Sequence, residues 1–329
     1  MWPCLVMVRA ARAKQTKRFS ATVHCSGSII DRNMGRKRVA FQGARGAFSE
    51  EASRLLLGDK LDYRPCERFE EVFRALAAGD VDYAVVPIEN TLAGSVHENY
   101  DHLLNFKLPI VAEGRVRIVH NLIGHPEAKW SAIRRAMSHP VALGQCLRFF
   151  EQNPRIRSES FYDTAGSVKR VMEQGDLSTA AIASRAAAEY YGAKILRTSI
   201  EDDRENYTRF FLLTPKTRRQ RSKPDGRRPK TSIVFTTRNE PGALFRCLAA
   251  FSLRDISLTK IESRPLRGRP WEYLFYLDFL GAPEETRVRN AMSHLGEMTE
   301  LLAVLGSYPE AAETTRGLPG LSTGSKRQA

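Results

Sequence analysis

The 329-residue sequence predicts an α/β fold followed by a smaller ferredoxin-like unit, and three observations carry that prediction. Short β-like runs alternate with helical patterns from residue 38 to residue 213, as in α/β domains built on mainly parallel sheets. After a basic stretch, the elements fall in the order β-α-β-β-α-β, the ferredoxin-like motif. The 42% hydrophobic and 27% charged fractions are those of an ordinary globular protein.

Val39-Ala40-Phe41 begins a strand that runs into a Gly-containing turn, and residues 49–57 carry a helical pattern. Residues 69–78 predict a second helix and residues 83–88 a buried strand. Residues 109–112 and 117–119 read as two further strands, and one continuous helix is predicted over 141–152. A helix over 167–174, an apolar strand over 180–183 and a helix over 185–191 follow. In the smaller unit, strands are predicted at 232–235, 256–263, 273–280 and 303–305, with helices over 241–253 and 284–302. Polar residues at the carboxyl ends of the strands are the candidate ligand groups, because open α/β sheets bind ligands there.

The formal net charge of +14 is concentrated in two places. Residues 1–38 hold nine Lys/Arg and one Asp, and residues 214–230 hold eight and one, which leaves 34 basic and 35 acidic residues elsewhere. The folded part is nearly neutral, and neither basic stretch interleaves aromatics as a nucleic-acid stacking surface does. No nucleic-acid role is expected. No apolar run approaches the roughly 18–20 residues that span a bilayer, so no membrane role is expected either. The chain divides into a basic N-terminal extension (1–37), a main domain (38–213), a basic linker (214–230), the smaller domain (231–310) and a tail (311–329), with extension and tail expected to be disordered. Met34 opens a stretch that reads as a natural start. Residues 1–33 are accordingly read as an upstream extension from a misplaced start codon, with an organelle-targeting arm as the alternative. The expected location is cytoplasmic, or plastid if residues 1–33 are a transit segment. Cys4, Cys25, Cys66, Cys146 and Cys247 are scattered without a Cys-x-x-Cys, which gives neither a disulfide framework nor a zinc site. No metal and no cofactor is predicted.

Five segments carry the candidate chemistry. The strand-turn-helix Ala40-Phe41-Gln42-Gly43-Ala44-Arg45-Gly46-Ala47-Phe48-Ser49 either aims backbone N–H groups at an anion or is a plain tight turn. Ile88-Glu89-Asn90-Thr91-Leu92-Ala93-Gly94-Ser95 ends a buried strand in hydrogen-bonding groups, as a site or as a polar turn. Ser138-His139-Pro140 opens a helix with Pro in its first turn, where Ser138 is either the cap or a cleft residue, and Gln145 follows. His139 is read as structural. Tyr162-Asp163-Thr164-Ala165-Gly166-Ser167 is a cap-like polar cluster. The last segment is Asn206-Tyr207-Thr208-Arg209-Phe210, a hydroxyl and a guanidinium at the start of an apolar strand.

In this order and spacing, over about residues 38–213, the five segments resemble the catalytic domain of the prephenate/arogenate dehydratases. The smaller domain resembles the ACT regulatory domain of the same enzymes, with Gly242-Ala243-Leu244 and Glu262-Ser263-Arg264-Pro265 similar to the two segments that bind phenylalanine there. The resemblance implies a two-lobed catalytic domain similar to a periplasmic binding protein, with the active site in the cleft between lobes. It also implies a homodimer or homotetramer with L-phenylalanine as allosteric ligand. Val141, Gly144 and Thr91 depart from the commonest family residues but leave Ser138, Gln145 and Thr208 in place.

The reaction implied is loss of CO2 and water from prephenate to give phenylpyruvate, a lyase reaction in L-phenylalanine biosynthesis. Aromatisation drives it, so positioning and hydrogen bonding to developing charge can supply much of the acceleration. Thr208 is too weak an acid to be a full proton donor; the resemblance implies that it donates a hydrogen bond as the C–O bond breaks. Arg209 either pairs bidentately with a substrate carboxylate or forms a structural ion pair. Phe210, placed with the catalytic group by the motif, packs in the core or against the substrate ring. Asn90, Ser95, Ser138, Gln145 and Thr164 are the expected substrate-binding residues. Arogenate is the competing substrate. A non-catalytic amino-acid sensor is the reading from another class, and the presence of Thr-Arg-Phe argues against it.

Overall fold

The computed structural model describes residues 36–216, 226–237, 239–266 and 272–311. The N-terminal extension up to residue 35, the middle of the basic linker and the tail beyond residue 311 lie outside the described residues.

Fifteen strands among the described residues form three sheets. The first lobe is built from β1 (Lys37–Gln42), α1 (Phe48–Leu57), β2 (Leu61–Cys66), α2 (Phe69–Ala78), β3 (Tyr83–Asn90), the two-residue β4 (Gly94–Ser95), α3 (His97–Phe106) and β5 (Ile110–Arg117). The chain then crosses to a second lobe. It holds β6 (Asn121–Gly124), β7 (Arg135–Ser138), α4 (Pro140–Gly144), α5 (Leu147–Gln152), β8 (Arg157–Ser160), α6 (Thr164–Gln174), β9 (Thr179–Ala183), α7 (Arg185–Tyr191) and β10 (Lys194–Arg197). It returns through β11 (Tyr207–Leu213), which enters the first sheet between β3 and β5. The sheet orders are β2-β1-β3-β11-β5 and β10-β6-β9-β7-β8. Strands β1, β2 and β3 run parallel, and β11 is antiparallel to both neighbours. This is the two-lobed α/β architecture expected, with two chain crossings between the lobes.

The C-terminal part holds β12 (Pro229–Thr236), α8 (Ala243–Ser252), β13 (Leu258–Pro265), β14 (Tyr273–Leu280), α9 (Thr286–Met298) and β15 (Leu302–Pro309). Its sheet, β13-β14-β12-β15, is antiparallel throughout and has the ferredoxin-like order. Alternation along its strands sends Phe235, Phe275, Leu277 and Phe279 to the two helices. Val234, Leu274, Tyr276 and Tyr308 go the other way, into one cluster with Phe211 and Leu213 of the first lobe. The approach is close enough that a Cβ added at Gly306 of β15 would run into the Ile110 carbonyl of β5.

Several elements differ from expectation. Residues 110–112 and Arg117 belong to one strand, β5, which runs unbroken through Gly114, while Ile118 and Val119 lie beyond its end. The edge strands β2 and β8 have polar, half or more exposed sequences and helix α3 places the polar Asn99 on its buried face, so periodicity does not reveal them. The helix expected over 141–152 is two helices, α4 and α5. Cys66, Cys146 and Cys247 are free and buried. Among the described residues no helix is long and apolar enough to cross a membrane.

Candidate active site

Strand β11 positions the site, and its two faces do different things. Neighbouring side chains on a strand point to opposite sides of the sheet. Phe210 and Leu212 pack with Val39, Val85 and Val116 on one side, and Phe211 and Leu213 join the C-terminal domain on the other. Thr208 therefore shares the face of Phe210, and Arg209 shares that of Phe211.

Thr208 is nearly buried, at 8% exposure, and stands opposite Asn90 in the β11–β3 register. Asn90 Nδ2 donates to Thr208 Oγ1 at 3.0 Å and to Asn206 Oδ1 at 2.7 Å. The direction is fixed by the backbone: Asn90 Oδ1 accepts from the N–H groups of Leu92 and Ala93 at 3.0 and 2.8 Å, and backbone N–H groups only donate. The amide nitrogen must then face Thr208, so the threonine oxygen accepts and its own proton is free to be given elsewhere.

Gln145 Nε2 also donates to Asn90 Oδ1, at 3.2 Å, and Gln145 Oε1 accepts from Asn206 Nδ2 at 2.9 Å. The three amides thus close a ring in which each donates to the next. Gln145 belongs to the second lobe, so the ring spans the cleft. It reaches the ring because the helix breaks at this point. The Asp202 carboxylate accepts the N–H groups of Leu147 and Arg148 at 2.8 and 3.0 Å, and the Asp202 N–H donates to Gln145 O at 2.8 Å. A carboxylate from the return crossing caps α5 and leaves Gln145 at the end of α4. His120 Nε2 sits 2.9 Å from Gln145 Oε1, and burial pushes the imidazole pKa down towards the neutral form. Neither Asn206 nor His120 was singled out for a role from the sequence. Asn206 lies inside the fifth motif, while His120 carries no local signal and gains meaning only from the crossing between lobes.

On the opposite face, the Arg209 guanidinium is enclosed by the chain's own groups. Nε donates to Glu113 Oε2 at 2.7 Å, Nη1 to Asp278 Oδ2 at 2.6 Å and Nη2 to the Tyr308 hydroxyl at 3.3 Å. Glu113 Oε1 accepts from Lys230 Nζ at 2.7 Å. Burial pushes the Glu113 carboxyl up, but Arg209 and Lys230 more than offset this and hold it below the usual range. Of the two roles open for Arg209, the arrangement is that of the structural ion pair, here joining the first lobe to the C-terminal domain. Strand alternation is the reason: a residue next to Thr208 faces away from it. Phe210, 1% exposed, is core.

Other expected binding residues also have specific partners. Ser138 is fully buried and donates to Ile182 O of β9 at 2.6 Å, while His139 Nδ1 caps α4 by accepting from Val141 N at 3.2 Å. Ser138 is therefore not the cap. Ser95 Oγ donates to Glu262 Oε2 at 2.7 Å and accepts from Lys260 Nζ at 3.0 Å, so its hydroxyl is turned to β13. Thr164 is the half-buried first residue of α6, next to the N-cap Asp163. Most donors of the turn at 43–47 are taken within the protein: Gly43 N bonds to Cys66 O, Ala44 N to Asp163, Gly46 N to Glu50 and Ala47 N to Ala44 O. Gly46, at φ 82°, lies where a Cβ would collide with Ala187, so this turn locks the lobes together.

In the C-terminal domain, Gly242, Ala243 and Leu244 line a cavity of about 230 Å³ with Asn239, Glu240 and Phe275. The second segment expected there faces elsewhere. Glu262 pairs with His97 at 3.0 Å as well as with Ser95, and Arg264 pairs with Asp101 at 3.1 Å. Ser263 and Pro265 are exposed. Among the described residues, residues 262–265 do not line that cavity.

The family model described as prephenate dehydratase matches residues 39–218. The chain is 43% identical over 287 residues to arogenate dehydratase/prephenate dehydratase 2, chloroplastic, of Arabidopsis thaliana, covering 84% of this chain and 74% of that protein. It superposes at a TM-score of 0.76 on prephenate dehydratase from Arthrobacter aurescens solved in complex with L-Phe, at 29% identity over 83% of this chain and 90% of that one. GqqA, described as a novel type of quorum quenching acylase, gives a TM-score of 0.76 at 33% identity, over 83% of this chain and 98% of that one.

Proposed function

The chain belongs to the prephenate dehydratase family, and on that premise we propose that it converts prephenate to phenylpyruvate with loss of CO2 and water. Arogenate is the alternative substrate, and the name of the Arabidopsis relative carries both activities. The observation that carries the reading is the directed hydrogen bond from Asn90 to Thr208 Oγ1 at 3.0 Å, which leaves the threonine proton for the departing hydroxyl. The C–C pair released with CO2 becomes ring π density, the C–O pair leaves with oxygen, and hydroxide departs as water after taking a proton from solvent. Thr208 stabilises the charge that develops on that oxygen without becoming an alkoxide. Asn90 and Gln145 hold Thr208 and close the cleft above it. Thr164, at the positive end of α6, is proposed as a substrate-carboxylate contact. Ser95 and Ser138 act through the partners described above.

We further propose that the C-terminal domain is an ACT domain and that L-phenylalanine binds at Gly242, Ala243 and Leu244. Glu262 and Arg264 then act at the contact with the first lobe, or in a second chain's pocket within a dimer. The effect on activity requires different affinity for more and less active states. The two grips of the C-terminal domain on the catalytic strands suit such coupling. Arg209 adjoins Thr208, and Glu89, which pairs with Lys260 at 2.9 Å, adjoins Asn90. The location proposed is cytoplasmic, or plastid if residues 1–33 act as a transit segment; plastid import of a reporter carrying those residues separates the two.

Turnover of prephenate and of arogenate, each with and without L-phenylalanine, tests the proposal. Phenylpyruvate formation from prephenate, suppressed by phenylalanine, is the expected result. Turnover of arogenate alone moves the substrate and keeps the mechanism, and no turnover of either by folded protein removes the reading.

A further inference from the structure

Resting on the role just proposed for Thr208, we infer that His120 is a positioning residue: a proton held at Nε2 pins the Gln145 amide in the ring that holds Asn90 against Thr208. The inference follows from donors whose direction is certain. Leu92 and Ala93 N–H groups make Asn90 Oδ1 an acceptor, which turns Gln145 Nε2 towards it. Gln145 Oε1 is thereby left facing Asn206 Nδ2 and His120 Nε2, both at 2.9 Å. Only a protonated Nε2 complements that oxygen.

The imidazole has the surroundings of a fixed part. It is 2% exposed and lies on the first crossing between lobes, with its backbone held on both sides. His120 N donates to Glu201 Oε2 at 3.0 Å, and His120 O accepts from Ile200 N at 2.9 Å. Phe48 of α1 packs edge-on against the ring, 5.9 Å between centroids. His120 Nδ1 is buried without a hydrogen-bond partner among the described residues. That suits an unprotonated nitrogen, since an unmet acceptor is tolerated better than an unmet N–H. Burial keeps the ring neutral even though the Glu201 charge works the other way.

Loss of the Nε2 proton leaves Gln145 Oε1 held by Asn206 alone. The Gln145 amide can then rotate, Asn90 keeps its backbone donors but loses the one from Gln145, and the ring that packs Asn90 against Thr208 opens. His120→Leu removes the donor and keeps an apolar side chain against Phe48, whereas His120→Gln places an amide N–H near the position of Nε2. The expected result is a kcat for His120→Leu lower by about tenfold or more, with KM within about twofold, and recovery of most of the loss in His120→Gln. Full kcat in His120→Leu overturns the inference, as does an equal loss in both variants at unchanged Tm. Nitrogen-15 NMR of histidine-labelled wild-type protein gives a second measurement that does not depend on the variants folding. The proton must sit on Nε2 of His120, and a proton on Nδ1 or a doubly protonated ring at neutral pH overturns the proposal. Wild-type protein inactive on both substrates defeats the functional reading instead and leaves the tautomer measurement to stand by itself.

Discussion

Arg209→Met should unfold this protein more readily rather than simply disarm it. The guanidinium side chain is 10% exposed, and its carboxylate partners Glu113 and Asp278 are 0% and 7% exposed. Without it Glu113 keeps Lys230, but among the described residues Asp278 keeps only the Ser232 hydroxyl for its buried charge. Removing one partner of a buried pair costs about 3–5 kcal/mol, where a surface pair is worth roughly 1 kcal/mol or less. For domains of about 150–250 residues each kcal/mol moves Tm by about 2–4 °C, so a fall of roughly 6–20 °C is expected. Adding Asp278→Leu removes the stranded carboxylate and should recover about 1–3 kcal/mol through coupling between the two sites. Calorimetry of wild type, single and double variants reads this directly, with kcat measured at a temperature where all are folded. If Arg209→Met keeps Tm within about 1 °C while kcat collapses, the guanidinium acts on substrate and the ion-pair account is wrong.

Asp202→Ala should cost about 1 kcal/mol by uncapping α5 and lower kcat as well, because the same carboxylate ends α4 at Gln145; unchanged kcat would show that the helix break does not position the ring. Lys260→Met cuts the link from β13 to Glu89 and Ser95, and should weaken inhibition by L-phenylalanine about fivefold at little change in basal kcat. Undiminished inhibition would remove that contact from the coupling. Stability should also fall on acidification. Burial raises Glu113 and Glu262, but Arg209 with Lys230 in the first case, and Ser95, His97 and Lys260 in the second, leave both below the ordinary carboxylate range. Their stabilisation is complete above the unfolded value of about 4.3 and is lost as pH falls through the depressed values. A Tm that stays flat as pH falls from the unfolded value through the depressed ones would contradict this.

The α/β class and the later ferredoxin-like order were legible because periodicity reports burial. Helix α2, strand β14 and helix α7 appear with the bounds read from sequence, each having an apolar pattern that only one element satisfies. Strand β8, with exposed side chains nearly throughout, offers no such pattern. In α3 the buried face includes Asn99, whose amide donates to Pro87 O, so a polar letter stands at a core position. At the site, the motifs located Asn90, Gln145 and Thr208, which the structure brings together. Arg209 is more instructive. Two adjacent residues of a strand face opposite ways, so a hydroxyl and a guanidinium side by side in sequence do not share one cleft, and that inference was available from the apolar strand alone. The break at Gln145 was not available, because its cause, Asp202, lies far along the chain and acts only once the return crossing is in place.

The most direct test of the central claim is phenylpyruvate release from prephenate, or phenylalanine release from arogenate, by wild type, Thr208→Ser and Thr208→Val at equal folded concentration. The account predicts that Thr208→Ser, which keeps an oxygen for Asn90 and a proton for the leaving group, retains most of kcat. Thr208→Val, of the same shape without the hydroxyl, should fall by about a hundredfold or more. Thr208→Val as active as wild type would contradict the account, whichever substrate is turned over.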